Sequence, residues 1–201
     1  MKKIALVLVP ALAAALGGCV VTSVCPYYTD KDVGFEPALV GNWLKQVKDG
    51  QPEVWKFEQS GPLAYRFTLI GERKATIMEA HAFKLQGQLF LDVFSIEQDI
   101  HVIPPHYLLK VTELTPASLQ LAQLDNEWLK QFLASSPAAI AHHFVNGGDN
   151  PEDLRVVLTA STPALQQFIL AHMKTEGAWK DSFDLQREQL SPEESERTGG
   201  Q

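Results

Sequence analysis

The tightest constraint on the fold is a period of two. Between Gly41 and Leu124, apolar and polar residues alternate in short runs broken by turn residues. Trp55 and Phe57 fall on one face of residues 53–59, with Lys56 and Glu58 on the other. Tyr65, Phe67 and Leu69 repeat the pattern against Arg66 and Thr68. Such alternation sets one side of a strand on a core and the other in water. The breaks have a chemical basis. Asp49-Gly50, Ser60-Gly61-Pro62, Gly71-Glu72, Gln86-Gly87-Gln88 and Thr115-Pro116-Ala117 supply the residues that reverse a chain. The expected strands are 42–48, 53–59, 64–70, 74–85, 89–96, 106–114 and 118–124, joined as an antiparallel meander. Leu89 to Phe94 is apolar on both faces except at Asp92. That predicts a strand buried on two sides and an aspartate in need of a partner.

The period changes at Asp125. Trp128, Leu129, Phe132 and Leu133 recur at helical spacing behind Asp125, which can cap the first turn. Ser136-Pro137 is expected to open a second short helix reaching His143. A strand over 153–159 follows, and then Thr162-Pro163 opens a helix with Leu165, Phe168, Ile169, His172 and Met173 on one stripe and Gly177 as its stop. A strand from Ser182 to Glu188 ends the regular structure, and 191–201, without a large apolar side chain, reads as a disordered tail. The expectation is one mainly β (α+β) domain over 37–190. It would be an antiparallel meander or barrel, closed or not, with helical insertions near 126–143 and 163–176.

Gly41-Asn42-Trp43 at the entry to the first strand, the meander after it, a late helix and a closing strand with Arg187 together resemble a lipocalin-type barrel. The resemblance implies that Trp43 plugs one end of the barrel and that Arg187 packs across its ring. A small barrel can enclose an apolar cavity, and Trp55, Phe57, Tyr65, Phe67, Phe83, Phe90 and Phe94 are the aromatic residues that could line it. The same rings would equally fill a core.

The first nineteen residues bear on location. Lys2 and Lys3 make a basic start, Ile4 to Leu16 form an apolar run too short to span a bilayer, and Gly17-Gly18 offer the small residues of a cleavage site. Leu16-Gly17-Gly18-Cys19 resembles the lipobox of bacterial lipoproteins. The resemblance implies that residues 1–18 are a signal peptide, that Cys19 becomes the first mature residue and that acyl chains are attached there. An ordinary secretory signal with a chance cysteine is the alternative. Val20 after Cys19, where inner-membrane retention would place aspartate, implies the outer membrane, facing the periplasm. Residues 19–36, with Cys25, Pro26 and Asp30-Lys31-Asp32, read as a lipidated N-terminus and irregular tether. With several acyl chains as anchor, the globular part needs no membrane-binding surface of its own to stay attached.

The full chain carries 17 basic and 24 acidic residues, and the expected leader removes two of the basic ones and none of the acidic. Such an acidic domain is a poor partner for nucleic acid. With Cys19 acylated, Cys25 is the only remaining thiol, so an intrachain disulfide is excluded. Among the six histidines, His101, His106, His142 and His143 are the ones that could converge on a zinc or copper ion, although HExxH and CxxC spacings are both missing. No Gly-x-Ser-x-Gly elbow, phosphate-cradling loop or cofactor motif is present. The favoured expectation is therefore a non-enzymatic binding module for a small apolar ligand or another envelope protein. A histidine-based metal protein comes next, and a hydrolase third.

Overall fold

The computed structural model describes residues 20–48, 50–72, 74–96, 103–146 and 154–189. Two short strands, β1 (Thr22–Ser23) and β2 (Val33–Gly34), precede a 3-10 turn at Pro37–Leu39. Seven strands follow: β3 (Gly41–Lys45), β4 (Glu53–Gln59), β5 (Tyr65–Ile70), β6 (Ala75–Leu85), β7 (Gln88–Ser95), β8 (His106–Leu114) and β9 (Ser118–Leu124). The chain then runs through α1 (Asn126–Ser135), β10 (His142–Asn146), β11 (Leu154–Leu158), α2 (Thr162–His172) and β12 (Trp179–Arg187).

Strands β3 to β9 pair in sequence, each antiparallel to the next. β12 slots between β9 and β3, so the eight strands form a closed antiparallel barrel. Closure leaves these strands without an open edge. β12 does this with Trp179 opposite Leu124 at one end and Arg187 opposite Trp43 at the other. The sheet branches at β8. His106 and Tyr107 pair with β1, while pairing to β9 begins at Leu109. β1 carries β11 in parallel and β11 carries β10, so a small sheet peels away from the barrel wall.

There are two cores. Trp43, Trp55, Phe57, Tyr65, Phe67, Met78, Leu91, Val93, Leu121 and Leu185 fill the barrel interior. Outside the wall, Phe83, Phe90, Leu108 and Leu124 pack beneath Tyr27, Leu129, Leu133, Val156, Leu165 and Phe168 from the amino-terminal segment, the branch sheet and both helices. β7 lies between the cores, which is why it is apolar on both faces: Leu91 and Val93 point inward, Phe90 and Asp92 outward.

Four expectations need correcting. Residues 20–36 are not a loose tether. Val20, Val21 and Tyr27 are buried, and Thr162 and Gln166 of α2 donate to the carbonyls of Pro26 (2.7 Å) and Tyr27 (3.0 Å), clamping the segment against the wall. The short helix expected over 136–143 is replaced by a turn and β10, because β11 offers a full row of backbone partners from His142 to Asn146. α2 stops at His172 rather than at Gly177. The indole N–H of Trp179 and Nζ of Lys110 donate to the carbonyls of His172 and Met173, both at 3.0 Å, and satisfy groups that another turn would have needed. β12 accordingly starts at Trp179, earlier than expected, with Gly177 at φ +76° in the turn before it.

Candidate functional site

The barrel interior is the first place to look for a ligand. Phe57 stacks on Phe67 with ring centres 4.6 Å apart, Trp55 packs on Phe67 (5.2 Å) and Phe183 (4.7 Å), and Tyr65 lies against Phe57 (6.4 Å) and Phe35 (4.9 Å). This chain of rings occupies the space that a carrier would leave to its ligand. The seven aromatic residues expected to line one cavity are divided. Trp55, Phe57, Tyr65 and Phe67 face inward, whereas Phe83 and Phe90 belong to the outer core and stack on each other at 5.5 Å. Phe94 lies outward as well, against His81 (6.0 Å) and His106 (4.9 Å). The physical reason is register. Phe83 pairs with Phe90 across β6 and β7, and their neighbours Ala82 and Leu91 hold the inward positions. The N–H of Trp55 is buried without an acceptor among the described residues.

One end of the barrel is shut by Trp43 and Arg187, which the structure brings together. The guanidinium carbon lies 4.1 Å from the centre of the indole ring. Its nitrogens donate to three backbone carbonyls, Pro116 (2.8 Å), Val40 (2.8 Å) and Ala38 (2.5 Å), tying the β8–β9 hairpin to the 3-10 turn. Trp43 donates its own N–H to the Leu39 carbonyl at 2.8 Å. Gly41 makes this possible. It has φ +135°, and a Cβ there would come 2.5 Å from Nη1 of Arg187.

The third constellation lies outside the barrel. Asp92 is 0 % exposed. Its carboxylate accepts from the backbone N–H of Tyr27 (2.7 Å) and lies 2.7 Å from Nδ1 of His106. Tyr28 stacks on His81 at 4.7 Å, and Nε2 of His81 lies 2.8 Å from Glu79. Burial, with a further push from the Asp92 charge, drives the Tyr27 phenol far above its ordinary range. The same causes, with Glu79 and Asp30 contributing, push Tyr28 up to about 12. An imidazole oriented by a carboxylate can move protons. Here, however, Ser23, opposite His106 in the β1–β8 ladder, is fully buried, and its Oγ accepts from the Cys25 N–H at 3.1 Å. The cluster fastens the amino-terminal segment to the wall. The sequence signalled it through a lone aspartate in an apolar run; His106 and Tyr27 as its partners were not readable there.

The metal reading fares poorly. Among the described residues no group of three His, Cys, Asp or Glu side chains could hold a metal ion. His106 and His142 lie in one row, through Ser23 and Leu158, but three strand positions apart, about 14 Å at ordinary strand spacing. His143 follows His142 on a strand and so faces the opposite way. His101 and Cys19 lie outside the described residues. A cleft of about 80 Å³ lined by Asp32, Phe35, Glu36, Phe83, Lys84 and Leu89 is well below the roughly 300–1,000 Å³ of small-molecule pockets. No family model, curated protein or solved structure matches the chain.

Proposed function

We propose that this chain is an envelope lipoprotein, held on the outer membrane through Cys19 and facing the periplasm, whose barrel serves without catalysis as a rigid module that docks another envelope protein. The observation that carries the reading is the contrast between a filled interior and an apolar rim. The β3–β4, β5–β6 and β7–β8 connections all leave the barrel at the end away from Trp43 and Arg187. Val47, Ile70, Ile96 and Ile103 are exposed there, Ile103 to 72 %. Several aliphatic side chains gathered at one end are what an apolar partner surface would cover.

The test is photo-crosslinking in cells from positions 47 and 103, with position 63, in the β4–β5 turn at the plugged end, as control. The reading expects one protein adduct shared by 47 and 103, absent from 63 and lost in an Ile70→Asp variant. Equal crosslinking from 63 counts against it. A second reading, a small ligand within the barrel, is favoured by one observation: the buried Trp55 N–H would suit a single acceptor atom. An organic adduct retained in the native mass of the purified chain and lost in Trp55→Phe would replace the first reading with the second.

A further inference from the structure

We infer that His81 is a proton-operated clasp: it holds the amino-terminal segment and the β4–β5 turn against the barrel wall while its ring carries two protons, and lets them loosen when it carries one. Counting protons leads there. Nδ1 of His81 lies 3.2 Å from the carbonyl oxygen of Leu63, and Nε2 lies 2.8 Å from Oε1 of Glu79. Both partners are acceptors. A neutral imidazole has a single N–H and presents a lone pair at its other nitrogen, whereas the imidazolium donates at both. The two contacts are therefore satisfied together only by the charged ring. The His81 side chain is 14 % exposed, which leaves little room for water to stand in for a lost partner.

The ring joins three parts of the chain. Leu63 is in the turn after β4, Glu79 is on β6, and Tyr28 of the amino-terminal segment stacks on the imidazole at 4.7 Å while its other neighbour is Phe83 of the outer core, at 6.3 Å. The charged and titratable groups on the surrounding elements are few. Asp92 of β7 stands opposite His81, and Arg66 of β5 stands opposite Glu79. His106 of β8 lies beyond Phe94 and differs from His81, because one N–H on Nδ1 meets Asp92 and a neutral ring suffices. Burial, then the charges of Asp92, Glu79 and Asp30, push the Tyr28 phenol up to about 12, so Tyr28 stays neutral while a histidine titrates. When the His81 ring loses a proton, the carboxylate, as the stronger acceptor, keeps the N–H that remains. Nδ1 then turns a lone pair toward the Leu63 oxygen, and repulsion replaces the bond. The turn moves off, the ring shifts beneath Tyr28, and the cover over Phe83 loosens. Histidine is the side chain whose charge ordinarily changes between about pH 5 and 8, so acid closes the clasp and mild base opens it.

The experiment is a two-bond proton–nitrogen correlation spectrum of the histidine rings in the purified full-length chain, followed from about pH 5 to 8. The His81 ring is assigned through its contacts with the Tyr28 ring, and the backbone resonances of Leu63 and Tyr28 are followed in the same samples. The expected result is a His81 ring protonated at both nitrogens at the acid end, with the Leu63 and Tyr28 resonances shifting at the midpoint where the ring loses one proton. In His81→Phe, which keeps a stacking ring without donors, those two resonances should no longer shift with pH and should stay near their wild-type positions at the basic end. A His81 ring that holds a single proton at the acid end overturns the clasp, because Glu79 then carries the other. A doubly protonated ring whose titration leaves Leu63 and Tyr28 unmoved overturns it too, as does an unchanged shift of both in His81→Phe. The wild-type spectra decide the matter even where the variant fails to fold.

Discussion

Arg187 offers the sharpest test of how the barrel end is held. Replacing it with methionine keeps most of the packing but removes the charge over Trp43 and three donors to the carbonyls of Ala38, Val40 and Pro116. The ring contact contributes about 1 kcal/mol at a partly exposed site. Each carbonyl bond contributes roughly 0.5–1 kcal/mol, since water can replace the donor at the rim. The expected loss is therefore about 3 kcal/mol, a large share of the roughly 5–15 kcal/mol of a typical domain. Arg187→Lys should recover less than half of it, because an ammonium group cannot fork between three carbonyls. Gly41 provides the control. In the wild type, Gly41→Ala meets both its φ of +135° and a Cβ only 2.5 Å from Nη1. In the Arg187→Met background the second cost disappears and about 1–3 kcal/mol remains for the backbone. Urea unfolding of the four proteins measures the coupling. If Gly41 and Arg187 act independently, with changes that add to within about 0.5 kcal/mol, the account of the Gly-x-Trp corner is refuted.

Three further outcomes are expected. Asp92→Ala should cost about 3–5 kcal/mol, because it strands the Tyr27 N–H and the buried side of His106, and hydrogen exchange should rise over 20–36 before it rises in the barrel. An increase confined to the barrel strands would refute the fastening role. Phe67→Ala should cost about 3–5 kcal/mol and leave a hole among Trp55, Phe57 and their neighbours that benzene partly restores in a melting assay; no response to benzene would mean the interior collapses. His172 is held below its ordinary 6.5 by burial. Its neutral form packs against Trp128, Phe132 and Phe168. The folded state thus resists protonation, and this contribution is complete above pH 6.5 and is lost as the pH falls below that value. His172→Phe should flatten the stability profile between pH 7 and 5. Asp32 has the same sign in a lower window: hydrogen bonds from Thr29, then from Gln166, lower its carboxyl below 3.8, so its contribution is lost only below about pH 4.

The barrel was legible wherever side chains alternate. Trp55, Phe57, Tyr65, Phe67 and Leu69 all face inward as their period of two requires, and β8 and β9 begin and end where the turn residues predict. The cap at Asp125 was equally plain, its carboxylate accepting from the Trp128 N–H at 2.7 Å. Contacts made at long range were hidden. Residues 20–36 read as a tether because Pro26 and the Asp30-Lys31-Asp32 run have no period. Their order comes from Asp92, Gln166 and Thr162, each more than sixty residues away. The stretch before His142 has the composition of a helix, yet the open row of partners on β11 outweighs local preference. Phe83 and Phe90 could not be told from lining residues because an outer core needs the same side chains as an inner one. Only the helices over the wall decide between the two.

That outer core also explains why the barrel looks outward. An eight-stranded barrel is just wide enough for its own side chains, and Trp43, Trp55, Phe57, Tyr65 and Phe67 are near the largest available. The wall over β6 to β9 carries Phe83, Phe90, Leu108 and Leu124 on its outer face, so it needs cover. The chain supplies that cover by inserting α1, β11 and α2 before β12 completes the ring and by laying 20–36 across the wall. Both the inner and the outer faces of that wall are thereby occupied by the protein itself. Among the described residues, most of the large apolar groups that remain exposed lie toward the end opposite Arg187 or on β10 and β11. On the proposed reading, a filled interior with apolar groups left at the rim suits docking better than carriage. Substitutions at Ile103 should therefore remove the partner adduct, and substitutions at Phe144 should leave it intact. Loss of the adduct from either change would mean that the two surfaces are one.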